Sequence, residues 1–244
     1  MSVFHAIGFS DWLSTTPQGS YILDWEQRKL DQILADIFGF NALQIGLPVM
    51  DTLRANRMPF RFFCDADESR RLSTGSAVRS EPTHLPFANN SMDTVVLPHI
   101  LEFSENPHQI LREVERVLMP EGSVIVTGFN PWSLWGAHCA FTQHPWCANT
   151  IGVPRLRDWF YLLGLETRAG AFGCYAPPFT QGQWLKRWKF MELAGNRWWP
   201  ATGAVYVLQA IKRQQGMKPI LPTWQKRQLR PRILTQPSAA KTPV

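Results

Sequence analysis

"SMDTVVLPHILEFSENPHQILREVERVLMPEGSVIVTGF", Ser91 to Phe129, carries the clearest structural signal in this chain. Its first apolar run, from Asp93 to His99, predicts a short buried strand, and its last run, "SVIVTGF", predicts another. Between them, Asn106 and Pro107 are typical of a helix start. Apolar residues then recur at helical spacing, at Ile110, Leu111, Val114, Val117 and Leu118. A strand, a helix and a strand joined by short connections predict a parallel crossover unit.

The same alternation continues on both sides of this unit. Upstream, the amphipathic segment "DWEQRKLDQILADIFGF" precedes three short strands, which end at Gly46, Asp65 and Glu81. Downstream, "PRLRDWFYLLGLE" predicts a helix closed by Gly164, and "AVYVLQAIK" predicts a last strand beginning at Ala204. The chain is therefore expected to form an α/β fold with a doubly wound, mostly parallel sheet.

Charge separates the end of the chain from its body. All 19 acidic residues lie at or before Glu192, whereas nine Lys and Arg follow it. Residues 214–244 contain five prolines and no acid. We expect residues 1–213 to form one domain and residues 214–244 to form a basic, disordered tail that suits an anionic partner.

Two classes of segment are not found in the sequence. The start, "MSVFHAIGFSDW", lacks the basic residues and the long apolar run of a secretory signal, and no later run is apolar enough to span a membrane. We therefore expect a cytoplasmic protein without a transmembrane segment. His138, Cys139, His144 and Cys147 are potential zinc ligands, but their spacing matches no common zinc pattern, so no metal site is predicted.

The predicted sheet points to a ligand site before any motif is considered. In doubly wound sheets, ligands bind outside the carboxyl ends of the parallel strands. The polar or turn-forming residues that follow the predicted strands are Gly46, Asp65, Asp67, Glu81, Pro98, His99 and Asn130.

The middle of the chain resembles the class I S-adenosylmethionine-dependent methyltransferases of the type 11 family. The resemblance covers about 50 residues and follows an acid, an L-P-F motif, an F-D-like pair that leads into a strand, an L-E pair, a helix ending in R-V-L, and a P-G-G motif. Here these elements are Glu81, Leu85 to Phe87, Ser91 to Asp93, Leu101 with Glu102, Arg116 to Leu118, and Pro120 to Gly122. The family implies a Rossmann-like methyltransferase fold, S-adenosylmethionine as cofactor, and methyl transfer to an acceptor, for which a small molecule is favoured.

The resemblance also implies a role for each strand end. Asp65, with Asp67 nearby, takes the place of the carboxylate that accepts hydrogen bonds from the ribose hydroxyls. Glu81 stands where the family usually has an aspartate facing the adenine amino group. Pro98 and His99 would lie near the sulfonium and its methyl group.

The first motif of the family is altered in this chain. In "LQIGLPVM", Leu43 to Met50, Gln44 stands where the family has an acid, Gly46 where it has its first glycine, and Pro48 where it has its second. Proline has no N–H to donate, and a glutamine carries no charge for a ligand ammonium group. Losing such an ion pair weakens binding by roughly 1–3 kcal/mol. We expect a weakened but working loop that includes Gln44 and Gly46 among its cofactor contacts; the alternative is a non-catalytic scaffold or regulatory module.

The acceptor side leaves several hypotheses open. His99 is either a general base or a structural histidine, and no catalytic residue is assigned. In "GFNPWSLWG", Asn130 and Trp132 offer an amide and a flat aromatic for a planar or cationic acceptor, or they form a rigid turn. The basic and aromatic segment "WLKRWKFMELAGNRWW", Trp184 to Trp199, suits RNA, a membrane surface, or an amphipathic helix that covers the pocket.

Overall fold

A computed structural model describes residues 2–66, 76–141, 149–178, 182–188 and 190–213. They form a seven-stranded sheet in the order β3-β2-β1-β4-β5-β7-β6. The strands are β1 Asn41–Ile45, β2 Phe60–Asp65, β3 Ser76–Arg79, β4 Met92–Pro98, β5 Leu118–Phe129, β6 Leu165–Gly173 and β7 Val205–Lys212. The first five are parallel, and β7 lies antiparallel between β5 and β6. The predicted doubly wound, mostly parallel sheet is confirmed.

Helices cover both faces of this sheet. They are α1 Ser2–Thr15, α2 Pro17–Ala35, α3 Ile100–Phe103, α4 Pro107–Val117, α5 Leu134–Phe141, α6 Val153–Leu162, α7 Gly182–Arg187 and α8 Phe190–Trp198, with a 3-10 turn at Pro200–Thr202. One core cluster packs β4 and β5 against α4 and α6, and the other packs them against α1 and α2. On β4, Val95 belongs to the first cluster and Val96 to the second, as expected for a strand buried on both faces.

Four helices and strands were missed in the sequence, namely α1, α3, α5 and β6. The α1 segment has no clear apolar stripe, and its helix is stabilised by packing, with Phe9 and Leu13 buried against α2 and the sheet. The β6 segment contains Gly170 and Gly173 and lies at the edge of the sheet, so it lacks the apolar run of a central strand. Asn106 precedes α4 as predicted, but its side chain makes no capping hydrogen bond.

The predicted basic tail, residues 214–244, lies outside the described residues, so its disorder stays a prediction. Among the helices that the structure describes, none is long and apolar enough to cross a membrane.

Arg116 explains why an L-P-F turn and an R-V-L helix end occur together. Its guanidinium donates hydrogen bonds to the carbonyl oxygens of Leu85 at 3.0 Å and Phe87 at 2.9 Å. It also forms an ion pair with Glu113, whose carboxylate accepts from the backbone N–H of Leu85. The end of α4 therefore holds the turn that follows β3, which carries Glu81.

Replacing Arg116 should loosen this turn. Arg116→Ala removes charged hydrogen bonds to two backbone carbonyls, so we expect the free energy of unfolding in urea to fall by about 2 kcal/mol. Arg112→Ala, an exposed arginine on the same helix, is the matched control and should change it by less than about 0.5 kcal/mol. Equal effects of the two substitutions would contradict a specific role for Arg116.

Candidate active site

A cavity of about 570 Å³ opens at the carboxyl ends of the parallel strands. Loops after β1, β2, β3 and β4 form most of its wall, and α1 closes one side with Phe9 and Ser10. The loop residues that line it include Gly46, Leu47, Pro48, Asp65, Ala66, Glu81, Pro82, Thr83, Pro98, His99 and Ile100. This is where the strand-end rule places a ligand.

Most of the residues predicted to contact a cofactor meet at this cavity. Gly46, Asp65, Glu81, Pro98 and His99 all line it, although they come from four different strand ends. Asp65 and Glu81 follow neighbouring strands, since Asp65 pairs with Arg79 at the end of β3. Asp67 lies outside the described residues. The structure thus brings two carboxylates and the altered loop into one cavity.

Gly46 cannot be replaced in this loop without movement. Its φ of 76° lies in the left-handed region, and its N–H donates to the carbonyl oxygen of Cys64 at 2.8 Å. A Cβ at this position would lie 2.9 Å from Cδ1 of Ile100. Leu47 follows with a φ of 51°, so two successive residues turn the chain sharply after β1.

Gln44 lies beneath the loop and does not line the cavity. Its amide nitrogen donates to the carbonyl oxygens of Gly46 at 3.1 Å, Leu47 at 3.2 Å and Met50 at 2.8 Å. Its amide oxygen accepts from the backbone N–H and the hydroxyl of Thr52, at 3.0 and 2.8 Å. A carboxylate has no proton for the three carbonyls, so a neutral amide fits this position and an acid does not. The side chain predicted to contact the cofactor instead fixes the shape of the loop.

His99 is held between two buried glutamates. Its Nδ1 lies 2.8 Å from Oε2 of Glu102, and its Nε2 lies 2.8 Å from Oε1 of Glu26 on α2. All three side chains are almost completely buried. Burial by itself would lower the pKa of His99, but the two carboxylates outweigh it and raise that pKa to about 10. Both ring nitrogens therefore carry protons at neutral pH, and the structure favours the structural role of His99 over that of a general base.

Glu102 extends this cluster to the end of β5. Its second oxygen, Oε1, accepts from the backbone N–H of Phe129 at 2.7 Å. Burial raises the pKa of Glu102, and the hydrogen bonds from His99 oppose that shift. Glu26 has one oxygen, Oε2, that is buried without a hydrogen-bond partner. The cluster thus joins α2, the end of β4, α3 and the end of β5 behind the cavity wall.

Comparison with known proteins finds a family match over part of the chain. Residues 64–126, which run from the end of β2 into β5, match the type 11 family model described as a methyltransferase domain. The uncharacterized protein YafS of Escherichia coli strain K12 is 28% identical over 197 residues, which cover 77% of this chain and 74% of that protein.

Solved structures share the fold of this chain at low sequence identity. A SAM-dependent methyltransferase from Thermotoga maritima has a TM-score of 0.58 and 14% identity, covering 79% of this chain and 92% of that chain. The [4+2]-cyclase SpnF has a TM-score of 0.54 and 15% identity, covering 78% of this chain and 81% of that chain. At such identities the likeness concerns the fold alone.

The two other residues predicted to bind the acceptor do not line the cavity. The side-chain amide of Asn130 donates to the carbonyl oxygens of Ala201 at 2.8 Å and Gly203 at 2.9 Å, and it accepts from the backbone N–H of Trp132 at 3.1 Å. Trp132 is exposed. The alternative, a rigid turn, is what the structure shows, because Asn130 clamps its own turn to the turn before β7.

The predicted cover of the pocket also lies elsewhere. The segment from Trp184 to Trp199 forms α7 and α8, and none of its described residues lines the cavity. Glu192 of α8 accepts hydrogen bonds from the hydroxyl of Tyr21 and the backbone N–H of Tyr175, which fixes α8 against α2. The N-terminal helix α1 covers the cavity instead.

The potential zinc ligands do not form a site within the described residues. His144 and Cys147 lie outside them, and the residues that the structure does describe contain no group of His, Cys, Asp and Glu arranged to hold a metal.

Gln44→Glu tests the role of the amide. The carboxylate would face three carbonyl oxygens in a buried site, so we expect the free energy of unfolding at neutral pH to fall by about 3 kcal/mol in urea denaturation. Gln32→Glu, on the exposed side of α2, is the control and should be close to neutral. A Gln44→Glu protein as stable as the parent would show that the loop does not depend on the amide.

His99→Asn tests the buried ion cluster through pH. The pKa of His99 is raised above its ordinary value of 6.5 to about 10, so its stabilising contribution is complete below 6.5 and is lost as pH rises toward 10. Asn tolerates the left-handed backbone of this position, where φ is 52°. We expect the difference in unfolding free energy between parent and variant to shrink between pH 6.5 and 10. The buried thiols of Cys64 and Cys174 titrate in both proteins, so they cancel in the difference; a constant difference would contradict the charged state of His99.

Proposed function

We propose that this chain is an S-adenosylmethionine-dependent methyltransferase that acts on a small-molecule acceptor. The observation that carries the proposal is the convergence of Gly46, Asp65, Glu81, Pro98 and His99 on one cavity, in a chain whose residues 64–126 match the type 11 methyltransferase model. Each of these residues stands where the family has its cofactor contacts.

The chemistry of the cavity fits this cofactor. Asp65 and Glu81 present two carboxylates after adjacent strands, which suit the ribose diol and the adenine amino group as hydrogen-bond acceptors. Gly46 has no side chain and allows a ligand to approach the backbone of the loop closely. When bound, the cofactor supplies a methyl group on an electrophilic sulfonium.

The protein contributes position more than proton transfer. Phe9, Ser10 and Phe103 line the cavity around His99, so the acceptor end is mainly apolar with a few hydroxyl groups. Because both nitrogens of His99 donate to carboxylates, this residue leaves no lone pair for an incoming proton. The site therefore suits an acceptor whose nucleophile needs no deprotonation by His99, held in line with the methyl group.

A second candidate is a non-catalytic scaffold or regulator that retains the fold. Its motivation is the loop, where Pro48 lacks an N–H and Gln44 points inward. The likeness to SpnF, a protein named as a cyclase, illustrates that this fold is not tied to one reaction.

Calorimetry with the purified chain separates these candidates. We expect S-adenosylmethionine and S-adenosylhomocysteine to bind with micromolar affinity and NAD not to bind. Asp65→Asn and Glu81→Gln should each weaken binding by about tenfold or more, since each removes a charged acceptor. Asp158→Asn, an exposed carboxylate on α6, is the matched control and should leave the affinity unchanged.

Two outcomes count against the proposal. Failure of the folded chain to bind either ligand at millimolar concentration would mean that the loop no longer holds the cofactor. Binding without transfer of a labelled methyl group to any component of a cell extract would favour the scaffold.

A further inference from the structure

Helix α8 exposes its large apolar residues to solvent, whereas the surface helix of a domain normally packs such residues against the core. Its inner side carries Gly195 and Glu192. A Cβ at Gly195 would lie 2.2 Å from the ring of Tyr175, and Glu192 accepts a hydrogen bond from the backbone N–H of Tyr175. Its outer side carries Phe190 and Leu193, whose exposed fractions are 61% and 82%. Positions 190, 193 and 197 share this side at helical spacing, so Arg197 lies beside the two apolar residues.

Exposed tryptophans lie at the end of this helix and in a turn bonded to the segment that follows it. Trp198 and Trp199, at 70% and 58% exposure, lead into the turn at Pro200–Thr202. Asn130 hydrogen-bonds that turn, and the same amide accepts from Trp132, which is 78% exposed. We call Trp132, Phe190, Leu193, Trp198 and Trp199 the tryptophan face. Large exposed apolar patches on soluble domains mark sites of contact with another surface.

The charge of the surrounding chain narrows the choice of partner. Apart from Phe190, the residues of the face lie in two segments without acid, since residues 123–157 and residues 193–244 contain no Asp or Glu. Arg197 lies on the outer side of α8, whereas Glu192 is turned inward and accepts hydrogen bonds. The face is therefore apolar and aromatic with a positive margin.

We infer that the tryptophan face docks on an anionic phospholipid bilayer. Tryptophan rings prefer the boundary between the headgroups and the acyl chains, where an apolar body and a polar N–H are both satisfied. Phe190 and Leu193 supply apolar area that enters this boundary, and Arg197 faces the anionic headgroups. Single-stranded nucleic acid is the weaker match, because it requires a row of cations along the phosphates and has no use for an aliphatic side chain such as Leu193.

Vesicle co-sedimentation of the full chain tests the inference. We expect binding to vesicles of phosphatidylcholine with roughly one-third phosphatidylglycerol, weaker binding to phosphatidylcholine alone, and loss of affinity at high salt. Tryptophan emission should shift to shorter wavelength on binding. The double variant Trp198→Ala with Trp199→Ala and the single variant Leu193→Glu should each weaken binding by about tenfold or more.

The matched control is Phe38→Ala with Phe40→Ala. These residues are as exposed as the tryptophans, but they precede β1 and so lie at the amino ends of the parallel strands, whereas Trp132 follows the carboxyl end of β5. Vesicle binding should therefore be unchanged. A truncated chain that lacks residues 214–244 separates the face from the basic tail. Binding should persist without the tail, because the face itself makes the apolar contact.

Several outcomes would overturn the inference. They are no binding of the parent chain to anionic vesicles, equal binding by parent and face variants, and dependence of all binding on residues 214–244. Two others identify a different occupant: binding of a single-stranded RNA that the face variants lose without any vesicle binding, or self-association in sedimentation velocity that Leu193→Glu abolishes. The cofactor calorimetry is independent of all of these, because no residue of the face lines the cavity.

Discussion

The ion cluster of Glu26, His99 and Glu102 is the contact on which the arrangement of the cavity depends. Burying these three ionisable groups costs desolvation free energy. The cost is offset because each ring N–H of His99 donates to a carboxylate. Removing one partner would leave a buried charge without compensation, whereas the intact cluster joins a helix, two strand ends and a short helical turn. Because α1 packs on α2, the position of the cavity cover follows from the position of Glu26.

The altered glycine loop has a defined shape that its own hydrogen bonds hold. Gln44 stands where the family has an acid, yet its amide nitrogen donates three hydrogen bonds to carbonyl oxygens, which an ionised acid could not do. The left-handed residues Gly46 and Leu47 complete the turn. With the shape fixed in this way, the loop needs no second glycine, and Pro48 is accommodated at the cavity wall.

The residues that meet at the cavity as expected are those whose position follows from topology. Parallel strands end at one edge of a sheet, so Gly46, Asp65 and Glu81 meet there whatever their individual contacts. This rule does not give the direction of a side chain. Gln44 was therefore expected to face the ligand, although its side chain bonds the backbone of the loop. Glu26 was missed because it reaches His99 across 73 residues, and no local pattern marks that pair. Asn130 was misassigned for a related reason: β7 runs antiparallel and brings the turn at Pro200–Thr202 to the end of β5.

The end of β5 connects the two surfaces that this protein offers. The backbone N–H of Phe129 is bound by Glu102 of the ion cluster, and the next residue, Asn130, holds the turn beside the tryptophan face. The N–H of Asn130 also donates to the carbonyl oxygen of Ala204 at 2.8 Å, which ties the same point to β7. A contiguous chain of hydrogen bonds is what coupling between two sites needs, although coupling also needs an element with two arrangements. The end of β5 therefore lies between the two surfaces, joined to the ion cluster through Phe129 and to the turn beside Trp132 through Asn130.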